Sequence, residues 1–217
     1  MFVGHYAAAF AGKRIAPKAP MWVLLVAAQA VDFLWAGLVL GGVERAELDH
    51  SLPTNPLVAE HMPYSHSLLG TLVIAVLMAL MVGRLWRCSR AAWVAGTVVV
   101  SHWFCDLLMH RPDLTLYGLP PKLGLQLWNY PLASHVLELA LLAAAVSWLM
   151  VAQAAVTRRN TLILAGVLVV SQLYAALFPP PPTIALMCFT LLLSWAAYPA
   201  LAAWLEHRAR PDQALVE

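Results

Sequence analysis

The chain of 217 residues is 62% hydrophobic and only 11% charged, whereas ordinary globular chains contain about 25% charged residues. This composition argues against a soluble globular domain, because a water-facing surface needs more charge than the chain carries. The net charge of +2, without a basic cluster interleaved with aromatic residues, argues against binding of nucleic acid. The three cysteines (Cys88, Cys105 and Cys188) are too few and too scattered for a disulfide framework or a cysteine zinc site, so we expect them to be packing residues.

Long apolar segments separate the charged residues. A membrane-spanning helix needs about 20 mostly apolar residues, and backbone groups in lipid must be satisfied within the segment. The sequence therefore predicts an all-α fold, a polytopic membrane helix bundle that forms a single domain over 1–217. Residues 2–12 are apolar but too short to cross, and predict a short half-buried or interfacial helix. Six spans are expected, at 21–41, 66–83, 91–110, 132–154, 161–178 and 183–205, with the prolines 179–182 as a stiff turn between the last two.

Basic residues fall mainly on one side of this arrangement. Only Arg45, Arg111 and Lys122 fall on the other side. Because cytoplasmic loops carry the excess of lysine and arginine, we expect a multi-pass protein with a cytoplasmic C-terminus. The residues on the richer side are Lys13, Arg14, Lys18, Arg84, Arg87, Arg90, Arg158, Arg159, Arg208 and Arg210. We expect no secretory signal, because the first basic residues follow the short apolar stretch instead of preceding it.

Acidic residues lie inside three of the predicted spans, at Asp32, Asp106 and Glu138. A carboxylate near the bilayer centre costs about 2.5–3.5 kcal/mol, and none of the three has an obvious lysine or arginine partner in its own span. His102 lies four residues before Asp106 and therefore shares its helix face. In the expected topology these groups and His66 converge on the outer half of the bundle. Imidazole with carboxylate suits zinc or another first-row divalent metal, although each residue taken singly is also compatible with a buried hydrogen-bonding role.

Several segments resemble motifs of one known family. Gly4-His5 followed by small apolar residues, and then Asp32, looks like its opening. Residues 61–69 (HMPYSHSLL) are similar to its HRGxTHSLL element, and residues 101–108 (SHWFCDLL) resemble its SHxxxDxLT element. Glu138 falls where a glutamate opens a later helix. The family is the inner-membrane metal-dependent hydrolases, typified by a LexA-regulated bacterial membrane protein, and the likeness covers roughly residues 4–140.

The resemblance implies a protein of the bacterial inner membrane with a divalent-metal hydrolase site. The site-bearing part would be 1–140, and two further helices in 161–205 match only as hydrophobic segments. The family's DxDH element reads Asp32-Phe33-Leu34-Trp35 here, and the missing second acid argues against a two-metal site. Met62 and Ser65 also replace the arginine and threonine of the HRGxTHS element. The family positions are occupied by His5, Asp32, His61, His66, His102, Asp106 and Glu138.

The leading functional hypothesis is a metal-dependent hydrolase that cleaves a phosphoester or similar bond in a lipid or lipid-linked substrate from the outer-leaflet side. Zinc is the first choice of metal, with manganese and iron as alternatives. Glu138, or Asp32 if it does not ligate, would be the general base. His61, Ser65 and His110 would hold the phosphate or the leaving group at the rim. The expected metal ligands are His5, Asp32, His66, His102 and Asp106.

Three other hypotheses stay open. A metal or proton transporter would use the same residues, but its path should continue through the cytoplasmic halves, where Gln29 and Gln153 are the only polar candidates. A b-type haem protein would need two histidines at matched depth on facing helices. An accessory subunit of a membrane complex would need none of these residues. Metal content separates the hydrolase from the accessory subunit.

Overall fold

The computed structural model describes residues 2–214, apart from the side chains of residue 156 and of residues 209–214. Within this range the regular secondary structure is almost entirely helical, with one short hairpin. The helices are α1 (Val3–Ile15), α2 (Met21–Ala28), α3 (Ala30–Leu40), α4 (Leu68–Trp86), α5 (Ser89–Met109), α6 (Pro131–Met150), α7 (Ala155–Leu177) and α8 (Ile184–Ala214). The strands are β1 (Arg45–Leu48) and β2 (Leu57–His61), and a single 3-10 turn covers Leu127–Asn129.

The predicted bundle of about six spans is confirmed. Helices α4 to α8 each contain a segment long and apolar enough to cross a membrane. The pair α2 and α3 pass the same test together but are bent by 51° where they meet, and they make a sixth span if the pair is counted as one. The chain therefore has the make-up of a multi-pass membrane protein. The boundaries of the last five predicted spans agree with the apolar segments of α4 to α8 to within about four residues, although α7 begins earlier and α8 ends later than the spans. The span 21–41 is broken where one continuous helix was expected.

The break in the first span falls at Gln29, which separates α2 from α3 and has non-helical dihedral angles (φ −112°, ψ 10°). A break inside a span is tolerated where the freed backbone groups find partners within the protein. Here the Ala28 carbonyl oxygen accepts a hydrogen bond from a histidine ring nitrogen of α5. The break also places Asp32 in the first turn of α3, where the helix dipole favours a negative charge.

Helix α1 is buried more deeply than the sequence suggested. It packs inside the bundle against α2, α5 and α6, and Val3, Tyr6, Ala9 and Phe10 have no exposed surface. Small residues allow this close packing, as is usual between helices in lipid. A Cβ atom at Gly12 would lie only 3.0 Å from a methyl group of Val94 on α5. A helix of 13 residues is only about 20 Å long, so α1 is too short to span a membrane. Its packing against α2, α5 and α6 encloses it within the bundle.

The loop between α3 and α4 contains the hairpin, which the sequence analysis did not predict. Strands β1 and β2 pair antiparallel, with Arg45 opposite His61 and Leu48 opposite Leu57. The Arg111 guanidinium, just after α5, donates hydrogen bonds to the Asn55 carbonyl at 3.1 Å and the Pro53 carbonyl at 3.2 Å. The hairpin is thereby fastened over the end of the bundle that holds the buried polar residues.

Candidate metal centre

Helix α5 and the residue that follows it carry three of the candidate metal ligands. His102 and Asp106 lie one turn apart on its inward face, and His110 follows directly after its last residue. All three side chains are almost completely buried, at 1%, 1% and 2% exposure. The spacing of four residues places them in a row along one helix face. His102 Nε2 lies 3.0 Å from Asp106 Oδ2, and His110 Nε2 lies 3.6 Å from Asp106 Oδ1.

His5 reaches this row from α1. Its ring stacks on the ring of His102, with 3.7 Å between the centroids and 2° between the planes. His5 Nε2 lies 3.1 Å from Asp106 Oδ1. A residue near the start of the chain is thus a full member of the buried cluster, because α1 enters the bundle instead of lying on its surface.

Asp32 approaches the same histidines from the broken span. Its Oδ1 atom lies 3.5 Å from His102 Nε2 and 3.3 Å from His66 Nε2. Its side chain is 13% exposed, whereas that of Asp106 is 1% exposed. Asp32 is therefore the carboxylate of the cluster that stands at its open side.

His66 comes from the turn that precedes α4. Ser67 caps this helix by accepting a hydrogen bond from the backbone N–H of Gly70 at 3.0 Å, and Trp103 Nε1 donates to the His66 carbonyl oxygen at 3.2 Å. The turn passes so close to the helix that a Cβ atom at Gly70 would overlap the Tyr64 carbonyl oxygen. Glycine is therefore required at this position, and His66 Nε2 is held 3.6 Å from Asp106 Oδ2.

Together these residues form two groups that can each hold a metal ion. One group is His5, Asp32 and His102, and the other is His66, Asp106 and His110; within each group the ligand atoms lie within 4.8 Å of one another. Asp106 lies between the groups, with Oδ1 near His5 and His110 and Oδ2 near His66 and His102. Bond lengths of about 2.0–2.1 Å around tetrahedral zinc give ligand atoms about 3.3 Å apart. Within the groups, the distances from His102 Nε2 to Asp32 and from His66 Nε2 and His110 Nε2 to Asp106 are 3.5 to 3.6 Å, close to this value.

The hydrogen bonding of the cluster also fits a metal. Both ring nitrogens of His5 and Nε2 of His102 are buried, yet among the described residues they form no hydrogen bond. His5 Nε2 and His102 Nε2 each lie close to a carboxylate oxygen of Asp106, at 3.1 Å and 3.0 Å. Since buried polar atoms are normally satisfied, a divalent cation bound beside these rings would give a ring nitrogen of each histidine a partner.

The remaining ring nitrogens are held by partners outside the cluster. His102 Nδ1 lies 2.8 Å from the Ala28 carbonyl oxygen, and His110 Nδ1 lies 2.8 Å from Asp113 Oδ1. Such partners fix the ring orientation and leave Nε2 as the metal-facing atom. A cluster in which Nδ1 is tied to an acceptor and Nε2 points inward is the usual arrangement of metal-binding histidines.

His66 is oriented by a longer chain of hydrogen bonds. Its Nδ1 atom lies 2.9 Å from Ser65 Oγ, which in turn donates to Glu44 Oε2 at 2.5 Å. Glu44 Oε1 also accepts the backbone N–H groups of Tyr64 and Ser65, both at 2.9 Å. Glu44 is 1% exposed, so it fixes the whole turn that carries His66.

The structure brings together all five expected metal ligands, His5, Asp32, His66, His102 and Asp106. His110, expected at the rim, lies inside the second group; its spacing of four residues from Asp106 is the signal that could have found it. Two groups of ligands are present where the missing second acid favoured a single-metal site. Glu44 gave no recognisable signal in the sequence, because it follows a span as an ordinary loop acid would.

The other expected catalytic residues lie outside the two groups. Glu138 is buried and its Oε2 atom accepts the backbone N–H groups of Phe2 at 2.7 Å and Gly4 at 3.1 Å. It therefore caps the N-terminus of α1, where a carboxylate satisfies orphan donors. His61 ends β2 with an exposed side chain, opposite Arg45. Ser65 holds the ring of His66.

A cavity of about 780 Å³ opens beside the cluster. Asp32, His66, Asp106 and His110 line one side of it. The facing walls come from α7 and α8 and are mainly apolar and aromatic, including Tyr174, Phe178, Leu186, Trp195 and Tyr198. His135, Glu138 and Gln172 add polar groups, with Gln172 Nε2 2.9 Å from His135 Nδ1. The candidate centre thus faces a space large enough for a small organic molecule or part of a lipid.

Comparisons with known proteins gave no match. No protein-family model, no curated protein and no solved structure matches the chain. Fold and geometry alone therefore define the class, which is a multi-pass helical membrane protein whose buried histidine and aspartate residues can hold a metal ion.

Proposed function

We propose that this protein is a membrane-embedded, divalent-metal-dependent hydrolase that acts on a phosphoester of a lipid or lipid-linked substrate. The observation that carries the proposal is the position of the cluster: Asp32, His66, Asp106 and His110, from the two groups that could hold a metal ion, line a cavity whose other walls are mainly apolar. Polar chemistry at one end of an apolar cavity suits a substrate with a polar reactive group and a hydrocarbon part.

The residues divide into holding and reacting roles. His5, His66, His102, His110 and Asp106 would hold the metal. A divalent metal bound there supplies Lewis acidity to a phosphoryl oxygen and lowers the pKa of a bound water to near neutrality. Asp32 is the cluster carboxylate at the open side, with Oδ1 turned to the histidines. We assign its other oxygen as the acceptor of the proton from attacking water.

Lipid is the favoured substrate class because of the cavity walls. Residues of α7 and α8 such as Val170, Ala175, Leu191 and Trp195 face the cluster across the cavity, and an acyl chain would replace lipid contacts there at little cost. A small hydrophilic substrate would gain little from these walls. His135 and Gln172 offer hydrogen-bonding groups for the polar head.

The remaining parts of the proposal rest on the sequence. Zinc is favoured because four of the six cluster residues are histidines. Location in a bacterial inner membrane, and kinship with the inner-membrane metal-dependent hydrolases, rest on the motifs around His66 and His102. A cytoplasmic C-terminus rests on the distribution of lysine and arginine.

Metal analysis of detergent-purified protein tests the proposal. Inductively coupled plasma mass spectrometry should find zinc, manganese or iron in the wild type at one to two ions per chain. The variants His102→Ala and Asp106→Ala should each lose at least half of it, while His61→Ala, which changes an exposed histidine outside the cluster, should keep it. Circular dichroism and size-exclusion chromatography would establish that the variants are folded.

Turnover is the second part of the test. Metal-loaded wild-type protein in mixed micelles should release the product of a lipid phosphoester, and Asp32→Asn should abolish this release while retaining the metal of the second group, to which Asp32 does not belong. Metal binding without turnover of any lipid phosphoester, together with metal flux into proteoliposomes, would favour the transporter instead. Absence of metal after reconstitution, with folded variants, would contradict the hydrolase.

A further inference from the structure

A second cavity, of about 530 Å³, lies at the opposite end of α1 from the metal centre. It is enclosed by the last turn of α1, the start of α2 and the ends of α6, α7 and α8. From His5 to Arg14 the helix advances about 13 Å, so this cavity is separate from the candidate metal centre. Its lining residues are not part of the proposed hydrolase chemistry.

Positive charge exceeds negative charge around this cavity. Lys13, Arg14 and Lys18 line it together with a single acid, Glu206. Glu206 Oε1 accepts hydrogen bonds from Lys13 Nζ and from the backbone N–H of Met21, both at 2.9 Å. The acid is therefore occupied by Lys13 and by the start of α2.

Among the residues that the structure describes, Arg14 and Lys18 have no counter-charge. Within the part of the chain that the structure describes, neither forms an ion pair or a side-chain hydrogen bond. The Nε atom of Arg14 is buried and unsatisfied among the described residues. A buried donor on a charged group is costly unless an acceptor is supplied, and an anion beside the partly exposed Arg14 side chain would supply that acceptor.

The rest of the lining is suited to a hydrocarbon chain. Phe10, Leu149, Leu164 and Ala202 form an apolar wall. The neighbouring polar side chains are already engaged: the Thr161 hydroxyl donates to Gln153 Oε1 at 2.9 Å, and Asn160 Nδ2 donates to the Leu205 carbonyl at 3.0 Å. The charged groups that remain available to a ligand are thus cationic, and the wall beside them is apolar.

We propose that this cavity binds the phosphate of an anionic phospholipid, with the Arg14 guanidinium and the Lys18 ammonium on the phosphate and an acyl chain along the Phe10 wall. A guanidinium presents paired N–H donors that match phosphate oxygens. A general surplus of basic residues at this end of the bundle does not explain a buried and unsatisfied Nε atom. The site is independent of metal binding and of hydrolysis.

Native mass spectrometry of the detergent-purified chain tests this proposal. The protein would be titrated with phosphatidylglycerol, with phosphatidylcholine, and with soluble glycerol phosphate as a competitor. Arg14→Gln should weaken binding of phosphatidylglycerol at least about tenfold, and Lys18→Gln should weaken it by a smaller factor. The matched control is Arg90→Gln, which changes an exposed basic residue in the first turn of α5 that does not line the cavity, and it should leave the affinity unchanged.

The outcomes distinguish specific binding of a phospholipid in the cavity from general attraction to basic residues on the surface. Equal weakening by Arg90→Gln and Arg14→Gln would overturn the proposal, as would wild-type affinity in both cavity variants. If Arg14→Gln fails to fold, Lys18→Gln carries the test, because Lys18 is exposed. Competition by glycerol phosphate would support a phosphate site filled by a soluble ligand, and failure to compete would support the lipid itself.

Discussion

The imidazole rings of His5 and His102 are stacked face to face, 3.7 Å apart between centroids and 2° from parallel. Their Nε2 atoms meet the two oxygens of one carboxylate, with His5 3.1 Å from Asp106 Oδ1 and His102 3.0 Å from Asp106 Oδ2. This pairing joins a short enclosed helix to the central span of the bundle. The two histidines belong to one ligand group, while Asp106 belongs to the other.

Replacing one ligand from each group should separate the two groups. His5→Ala removes a ligand of the first group and His110→Ala a ligand of the second. If both groups bind metal, each variant should retain about half of the metal of the wild type, because the other group keeps its three ligands. Metal content per chain measures this directly, with His61→Ala as the control. Complete loss in both variants would instead indicate one metal shared across Asp106.

Removing the cap of α1 should loosen the metal centre from a distance. Glu138→Ala leaves the N–H groups of Phe2 and Gly4 without their acceptor, which costs about 1–3 kcal/mol for a buried donor. We expect a lower Tm and weaker metal binding, because α1 carries His5. Glu138→Gln keeps one accepting oxygen, so its Tm and its metal affinity should lie between those of the wild type and those of Glu138→Ala. Wild-type Tm and metal content together with lost turnover would instead support Glu138 as the general base.

Neighbouring serines should give different defects. Ser65→Ala breaks the link from Glu44 to the His66 ring, and loss of such a partner typically lowers metal affinity about 10–100-fold. Ser67→Ala removes the cap of α4, which costs about 1 kcal/mol of stability without touching the ring. Competition with a chromogenic chelator measures the affinity, and thermal unfolding the stability. The idea fails if the two variants have the same metal affinity.

Two glycines in helices provide a matched pair for the His66 turn. A Cβ atom at Gly70 would overlap the Tyr64 carbonyl oxygen, whereas a Cβ atom at Gly166 in α7 meets nothing within 4 Å. Gly70→Ala should therefore lower the Tm and the metal content together, because the displaced turn carries His66. Gly166→Ala should leave both unchanged or raise the Tm slightly, since alanine favours helix. Equal metal content in the two variants would mean that the turn tolerates displacement.

The spans were predictable because their signal is local: a run of about 20 apolar residues needs no knowledge of neighbours. The row of His102 and Asp106 was predictable for the same reason, from helical spacing alone. The break at Gln29 was not, because it depends on the Ala28 carbonyl finding His102 across the bundle.

The structural features that could not be predicted from the sequence depend on contacts between residues that lie far apart in the chain. The burial of α1 depends on Glu138, which lies 136 residues from Phe2, and the role of Glu44 depends on the turn 21 residues later. Neither the contact of Glu138 with α1 nor that of Glu44 with the turn can be predicted from residue spacing within one segment. The same holds for the hairpin, whose strands are short and have no distinctive alternation of their own.

The short length of α1 has a consequence for how the protein matures. A helix of 13 residues cannot be integrated as a span by the membrane-insertion machinery, and its His5 ring finds its place only against α5. The chain must therefore thread this segment into a bundle whose walls, α5 and α6, are synthesised later. Any metal that the cluster holds would therefore be acquired late in biogenesis, after α5 and α6 have enclosed α1, and the metallated fraction of a preparation would report how many molecules have completed their assembly.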